Sequence, residues 1–123
     1  MANGEICWWE IEVPDAERAK DFYGRAFGWD FEPMPGYDGY LMAKLDGKTI
    51  GAIQASQEPV PAGRAVRLYV ETDDLEAAVR RTEDAGGAVD MARTPIGDTG
   101  GWFALVRDPF GSRIGIWTGQ AAG

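Results

Sequence analysis

Hydrophobic and polar residues alternate along two short stretches, one near the start of each half of the chain. In the first stretch, apolar residues stand at every second position from Cys7 to Val13. In the second, Val66, Leu68 and Val70 alternate with polar or charged neighbours. A period of two predicts a β-strand that turns one face toward a core. We therefore expect each half of the protein to open with a strand.

An apolar stripe at helical spacing follows each of these strands. Asp15 is a suitable N-cap for the first helix, and Gly28 is placed to end it. Asp73 or Asp74 begins the second helix, and Gly86-Gly87 ends it. The residues of the two stripes are Ala19, Phe22, Tyr23, Ala26 and Phe27 in the first helix, and Leu75, Ala78, Val79 and Ala85 in the second.

Three more strands are predicted after each helix. In the first half they cover about 29–34, 39–45 and 48–55, and in the second about 88–93, 102–107 and 112–117. Asp46-Gly47 suits a two-residue hairpin turn, in which both residues take positive φ. The stretch 108–111, Asp-Pro-Phe-Gly, suits a type I turn. Each half is therefore a βαβββ unit.

The two halves also resemble each other in sequence. A shift of 59 residues places Asp15 on Asp74, and a shift of 64 places Gly51 on Gly115. The chain thus consists of two copies of one unit, about 1–57 and 64–118, joined by a Pro- and Gly-containing linker at 57–63. The predicted fold class is α+β, a single domain over 1–123. One helix covers only one face of its sheet, so we expect the two units to form a cup-shaped mixed sheet.

Composition excludes several classes of function. The chain has 12 Lys and Arg against 20 Asp and Glu, for a net charge of −8. This charge argues against nucleic acid and anionic membranes as partners, and it favours solubility or a cationic ligand. The absence of His removes imidazole-based catalytic and metal sites, and Cys7, the only cysteine, cannot form an intrachain disulfide. Without a membrane span or a secretory signal, we expect a cytoplasmic protein.

Strand alternation predicts which side chains line the cup. The residues that alternate with the core positions of the opening strands are Trp8, Glu10 and Glu12, then Arg67, Tyr69 and Glu71. In the last strands, the same reasoning puts Ile50, Ala52, Ile114 and Ile116 in the core. It leaves for the cup Thr49, Gly51, Ile53, Arg113, Gly115 and Trp117. Glycines opposite large aromatic side chains leave room for a ligand.

We predict a ligand-binding site on this lining, formed by Trp8, Glu10, Arg67, Tyr69, Trp102 and Trp117. Alternatives remain open for several of these residues. Trp8 and Trp117 can instead lie at a dimer contact, Glu10 can form an ion pair with Arg67, and Trp102 can belong to a lid or to the rim. The loop 34–39 is placed to close over the mouth of the cup.

The motifs resemble those of the vicinal oxygen chelate superfamily, which contains glyoxalase I, bleomycin-resistance proteins and extradiol dioxygenases. The matching stretches, by number, are 7–10, 13–15, 21–23, 27–29, 70–75, 86–87, 107–111 and 114–117. The resemblance covers nearly the whole chain. It implies a cup in each monomer and a homodimer that completes or shares the cups.

The resemblance also implies where a divalent metal would bind in the enzymes of this superfamily. Its ligand positions fall on Trp8, Arg67, Gly51 and Gly115. None of these side chains binds a hard metal ion. We therefore expect no metal, no cofactor and no catalytic residue of the family type.

Two functions from different classes follow, and the first is preferred. The chain is expected to act like the metal-free bleomycin-resistance proteins and to hold an aromatic, cationic natural product such as an antibiotic in an acidic, Trp-lined cup. The alternative is a glyoxalase-like lyase, isomerase or dioxygenase-type enzyme, with Glu10 or Glu12 as general base and Arg67 or Tyr69 stabilising an oxyanion. A regulatory module that binds a metabolite is a third reading.

Overall fold

The structure is a computed structural model that describes residues 3–56 and 65–122. The predicted linker 57–63 lies outside the described residues. The chain divides into two compact units. The first module is residues 8–66, and the second module combines residues 3–7 with the chain from 67 onward.

The first module follows the predicted order of elements. It contains β1 (Ile6–Val13, from Trp8 onward), α1 (Ala16–Phe27), β2 (Asp30–Pro33), β3 (Tyr40–Leu45) and β4 (Lys48–Ala55). Its strands are ordered β2-β3-β4-β1. β1 runs parallel to β4, and the remaining pairs are antiparallel.

The second module repeats this arrangement. It contains β5 (Val66–Glu71, from Arg67 onward), α2 (Leu75–Asp84), β6 (Ala88–Pro95), β7 (Trp102–Arg107) and β8 (Arg113–Thr118). Its strands are ordered β5-β8-β7-β6, with β5 parallel to β8. The α+β class and the two βαβββ units predicted from the sequence are confirmed, and each strand lies within two residues of its predicted bounds.

Equivalent aspartates begin the two helices. The Asp15 carboxylate accepts a hydrogen bond from the Arg18 backbone N–H at 3.1 Å, and the Asp74 carboxylate accepts one from Ala77 at 3.1 Å. Asp74, rather than Asp73, is therefore the second N-cap. Gly28 ends α1 in the left-handed conformation, with φ 77°. The predicted caps of α1, Asp15 at its start and Gly28 at its end, are therefore confirmed.

The two predicted turns also form. Asp46 and Gly47 both take positive φ, 51° and 78°, as their hairpin requires. At the second turn, the Asp108 carboxylate accepts hydrogen bonds from the backbone N–H groups of Phe110 and Ser112, each at 2.9 Å. The Gly111 N–H closes the turn onto the Asp108 carbonyl at 3.1 Å.

Aromatic rings fill the layer between helix and sheet in the first module. Trp9 of β1 packs on Trp29, with ring centroids 5.3 Å apart, and Trp29 stacks on Tyr23 of α1. These contacts confirm that Trp9 is a packing residue. The buried aliphatic residues of this module are Ala19, Leu41, Ala43, Ala52 and Ile53.

Aliphatic residues fill the corresponding layer of the second module. Leu75 of α2 packs with Ala104, Val106 and Ile116 in a buried cluster. Ile114 adds to this cluster, so both isoleucines of β8 face the core as predicted. Within residues 3–56 and 65–122, neither helix has the length and apolar character needed to cross a bilayer.

Candidate functional site

Three side chains form a hydrogen-bonded row on one face of the first module. The Trp8 indole N–H donates to the Tyr40 hydroxyl oxygen at 3.1 Å. The Tyr40 hydroxyl in turn donates to the Glu10 carboxylate at 2.6 Å. Bonds to a carboxylate are shorter and stronger than neutral ones, so this row fixes both rings relative to the acid.

The sheet register explains how these residues meet. Glu10 lies opposite Ala52 of β4, and Ala52 lies opposite Met42 of β3. Tyr40 stands two residues before Met42 and therefore on the same face. Because Ala52 has only a methyl group, the Tyr40 side chain has room to reach Glu10 across β4. Glu10 is 7% exposed, so little water reaches its carboxylate.

The loop 34–39 approaches this row. Its Tyr37 ring lies 6.4 Å from the Tyr40 ring, centroid to centroid. The Met34 N–H donates to the Tyr40 carbonyl at 3.0 Å, which fixes the base of the loop. The role of this loop as a lid stays a prediction.

The second module places a group of aromatic residues on the sheet face opposite α2. Tyr69 lies opposite Gly115 and is buried, and its ring occupies the space that a Gly115 side chain would take. Phe103 meets the Tyr69 ring edge to face at 6.4 Å. Trp117 lies opposite Phe103, so the three rings share a face. Arg67, two residues before Tyr69 on β5, belongs to this face by strand alternation.

A hydrogen bond holds the Trp117 ring against a loop. Its indole N–H donates to the Gly100 carbonyl at 2.8 Å. Gly101 adjoins the same ring and takes φ 80°, a conformation that glycine adopts without strain. The ring is half-buried, and it combines a fixed orientation with an accessible surface.

A half-buried acid lies beside this group. The Glu71 carboxylate lies on β5 opposite Trp117, and its Oε1 atom is buried without a hydrogen-bond partner among the described residues. Burial raises the pKa of the Cys7 thiol, and the negative charge of Glu71 raises it further. Cys7 is half-buried.

The predicted alternation is wrong along β4. The sequence predicts Gly51 on the cup face. In the structure the Trp9 ring packs directly against Gly51, in the space that a side chain there would occupy, so Gly51 lies on the same face as Trp9. Ile53, assigned to the same face, lies opposite Ile11 and is fully buried. Ala52, assigned to the core, lies opposite Glu10. The physical reason is a β-bulge. Ala43 of β3 pairs with Gly51 but Lys44 pairs with Thr49, so Ile50 is the extra residue on β4.

Trp102 lies apart from this aromatic group. It packs against the α2-side cluster of the second module and not on the face of Tyr69 and Trp117. The Arg93 guanidinium lies 5.3 Å above its ring and forms two hydrogen bonds to Glu76. Trp102 therefore contacts the packed layer between β7 and α2, and its part in ligand binding stays a prediction.

The structure thus brings together Trp8 with Glu10 in one module, and Tyr69 with Trp117 in the other. The pairing of Glu10 with Arg67 stays a prediction. Sequence reasoning missed Tyr40, because its distance of 30 residues from Glu10 hides their contact. The available signal was the alternation along β3, in which Tyr40, Met42 and Lys44 share one face and Leu41 and Ala43 are buried on the other.

The four positions that the resemblance assigns to a metal do not fit a divalent ion. Trp8 and Arg67 offer no anionic donor, and the rings of Trp9 and Tyr69 fill the places where side chains at Gly51 and Gly115 would stand. Within the described ranges, no three Asp, Glu or Cys side chains come together as a metal-binding group.

The comparison with protein families decides the identity of the fold. Residues 6–116 match the model of the Glyoxalase/Bleomycin resistance protein/Dioxygenase superfamily. The chain belongs to this superfamily. CFP32 of Mycobacterium tuberculosis is 35% identical over an alignment of 120 positions that covers 94% of this chain and 46% of that protein. The anthracycline biosynthesis protein DnrV of Streptomyces peucetius is 33% identical, over 95% of this chain and 48% of that protein.

The chain spans about half the length of these curated relatives. Solved members of the superfamily share its fold at low sequence identity. A member from Vibrio splendidus has a TM-score of 0.66 at 17% identity and covers 89% of this chain and 95% of its own. Methylmalonyl-CoA epimerase from Mycobacterium tuberculosis has a TM-score of 0.65 at 20% identity, over 97% and 89% of the two chains. These neighbours establish the fold, and the site must indicate the function.

Proposed function

We propose that this protein binds a planar aromatic natural product without a metal ion, and that it sequesters an antibiotic of this kind. The observation that carries the proposal is the row formed by Trp8, Tyr40 and Glu10. It presents an indole, a phenol and a carboxylate in fixed relative positions. Preorganised groups lose little conformational entropy when a ligand binds.

The chemistry of this row suits an aromatic ligand that carries a cationic or hydroxyl substituent. Stacking on an indole or phenol ring contributes about 0.5–1.5 kcal/mol beyond the area that is buried. A cation beside the Trp8 ring and the Glu10 carboxylate gains further attraction. The net charge of −8 supports the same preference, because it attracts cationic ligands over long range.

The relatives support the choice of ligand class. DnrV, at 33% identity, is named for anthracycline biosynthesis. Anthracyclines are planar aromatic compounds with an amino sugar, and they combine the two features that the row would recognise. The half-buried Trp117 of the second module, with Arg67 on the same face, offers a second aromatic surface for such a ligand, and Tyr69 packs beneath this face.

A fluorescence titration tests this proposal. Quenching of tryptophan emission by daunorubicin is measured for the native chain and for Trp8→Ala, Glu10→Gln, Tyr40→Phe and Trp117→Ala. We expect saturable binding that weakens about tenfold or more in Trp8→Ala, because truncation of an aromatic anchor commonly costs over 1 kcal/mol. Trp102→Phe is the matched control, since Trp102 packs on the α2 side of its module.

The aglycone daunomycinone separates the contribution of the amine. We expect Glu10→Gln to weaken daunorubicin more than the uncharged aglycone. If native affinity persists in both Trp8→Ala and Trp117→Ala, the proposed site is wrong. If no compound in a panel of planar aromatics binds saturably, the ligand class is wrong.

One observation favours an enzyme as the second candidate. The 2.6 Å bond between Tyr40 and Glu10 joins a carboxylate to a proton donor in a desolvated place. Such a pair could remove a proton from a carbon next to a carbonyl group and return it, as in an isomerase. Proton exchange in deuterated water at such a carbon of an aromatic ketone, lost in Glu10→Gln, would support this candidate.

A further inference from the structure

One carboxylate of the second module lacks a hydrogen-bond donor. Glu71 is the last residue of β5, and its Oε1 atom is buried without a partner among residues 3–56 and 65–122. A buried carboxylate oxygen without a donor is unfavourable in free energy. Glu10 of the first module differs, because its carboxylate accepts the bond from Tyr40. Since Glu71 as a whole is only half-buried, a small rotation of its side chain brings this oxygen to a ligand.

The register of the sheet places aromatic rings beside this carboxylate. Glu71 lies opposite Trp117 of β8, and Trp117 lies opposite Phe103 of β7. Tyr69 stands two residues before Glu71 on the same face, and its ring meets Phe103 edge to face. The Trp117 ring is half-buried, and its bond to the Gly100 carbonyl fixes its orientation. Part of an indole surface therefore stays accessible next to the acid.

An acid beside aromatic rings is suited to an ammonium cation. The cation is attracted to the face of an indole ring, and its N–H groups donate charge-assisted hydrogen bonds to the carboxylate. A neutral donor gains only the second of these interactions. Arg67 does not cancel the charge of Glu71, because the two Cα atoms stand about 13 Å apart along β5. That distance exceeds the Debye length of about 8 Å at physiological salt.

We propose that Glu71 and Trp117 form a site in the second module for the primary ammonium group of an aromatic ligand. The ammonium group donates to the Glu71 carboxylate and lies against the Trp117 ring. This inference deepens the proposed function and rests on it in one respect, because Trp117 belongs to the second aromatic surface. It assigns the recognition of positive charge on that surface to Glu71.

The stability of Glu71→Gln gives a first test. The substitution keeps the shape of the side chain and removes a partly buried charge whose Oε1 atom has no donor. Residues that serve binding commonly lower the stability of the free protein. We expect Glu71→Gln to melt at the same temperature as the native chain or higher, as measured by circular dichroism. A clearly lower melting temperature would mean that the carboxylate has a partner in the folded chain, and it would overturn the proposal.

Binding of 2-phenylethylammonium, followed by the indole ¹⁵N–H resonances at constant ionic strength, gives the second test. The probe is titrated to about 50 mM, since so small a molecule binds weakly. We expect the Trp117 resonance to shift saturably, with a dissociation constant that rises about tenfold in Glu71→Gln because a charge-assisted hydrogen bond is lost. Neutral 2-phenylethanol should bind much more weakly. Glu5→Gln is the matched control, since Glu5 is an exposed acid whose backbone carbonyl accepts from the Glu71 N–H.

Three results of this titration would overturn the proposal. Equal binding of the amine and the alcohol, or equal binding of the amine by the native chain and Glu71→Gln, would mean that the surface recognises only the ring. A Trp117 resonance that stays in place, whether or not Trp8 responds, would mean that no site exists here. That result would leave the proposed function intact. Conversely, a Trp117 response to the amine without daunorubicin binding at Trp8 would remove the proposed site in the first module and leave this one.

Discussion

At the scale of single residues, the site depends on Tyr40, whose hydroxyl group connects Trp8 to Glu10. The sequence identified the indole and the acid from their alternation along β1. It could not identify the phenol, because that contact depends on the order of strands and on a small residue, Ala52, between them. Alternation predicts which face a side chain occupies, and only tertiary structure places it beside a residue of another strand.

Replacement of Tyr40 by phenylalanine tests the energetic role of this hydroxyl group. The Glu10 carboxylate is buried and would lose a charge-assisted hydrogen bond. We expect Tyr40→Phe to lower the free energy of unfolding by about 1–3 kcal/mol, as measured by urea denaturation. Tyr37→Phe is the control on the neighbouring ring. An unchanged stability in Tyr40→Phe would show that the bond is absent in solution.

Gly115 is a second residue whose role is steric. A methyl group there would overlap the Tyr69 ring, which is buried and packs on Phe103. We expect Gly115→Ala to cost about 1–3 kcal/mol, as overpacked cores do. Gly119→Ala should cost less, because its new Cβ would lie 3.3 Å from the nearest Trp117 atom. Equal stabilities of the two variants by thermal melting would contradict the placement of Tyr69.

Cys7 reports on the charge of Glu71. Burial and then Glu71 raise the pKa of the thiol, so the neutral thiol is favoured in the folded state. The stability that this group contributes is present below the thiol pKa of the unfolded chain, and it is lost as pH rises through the higher folded value. We expect iodoacetamide to react with Cys7 only at more alkaline pH than with a free cysteine.

The variant Glu71→Gln should move this reaction profile partly back toward lower pH, since burial of the thiol remains. Glu5→Gln is the control, because Glu5 is an exposed acid two residues from Cys7. A profile that is identical in the native chain and in Glu71→Gln would mean that Glu71 does not act on the thiol.

At the scale of elements, local chemistry predicted nearly every helix and strand. Caps and turns are formed by neighbouring residues, and their signals are therefore complete in the sequence: Asp15, Asp46-Gly47 and the turn at Asp108 are examples. The wrong prediction of which β4 residues face the cup has an equally specific cause. One bulged residue reverses the alternation beyond it, and no pattern of apolar residues marks the bulge.

The N-caps give a prediction at this scale. Asp15→Ala and Asp74→Ala should each destabilise the protein by about 1 kcal/mol. Because the caps belong to different modules, the double variant should lose the sum of the two, to within about 0.5 kcal/mol. Asp73→Ala is the control, since the Asp73 side chain does not cap α2. A greater loss in Asp73→Ala than in Asp74→Ala would contradict the assigned start of this helix.

At the scale of the whole molecule, the family follows from the repeated βαβββ pattern, and the proposed function rests on departures within that pattern. The metal-binding positions of the family pattern fall on Trp8, Arg67 and two glycines, while aromatic rings and carboxylates share one sheet face in each module. The sequence could show that these donors are missing. It could not show which rings and acids are held together, because that depends on contacts between distant strands.

The indole N–H resonances of the five tryptophans provide the most direct measurement of the central claim. They are assigned by single Trp→Phe substitutions, and daunorubicin is then titrated into the ¹⁵N-labelled native chain. We predict that the Trp8 resonance shifts saturably with the ligand, while those of Trp29 and Trp102 stay in place. Saturable binding that leaves Trp8 unshifted, or that moves only Trp29 and Trp102, would contradict the account.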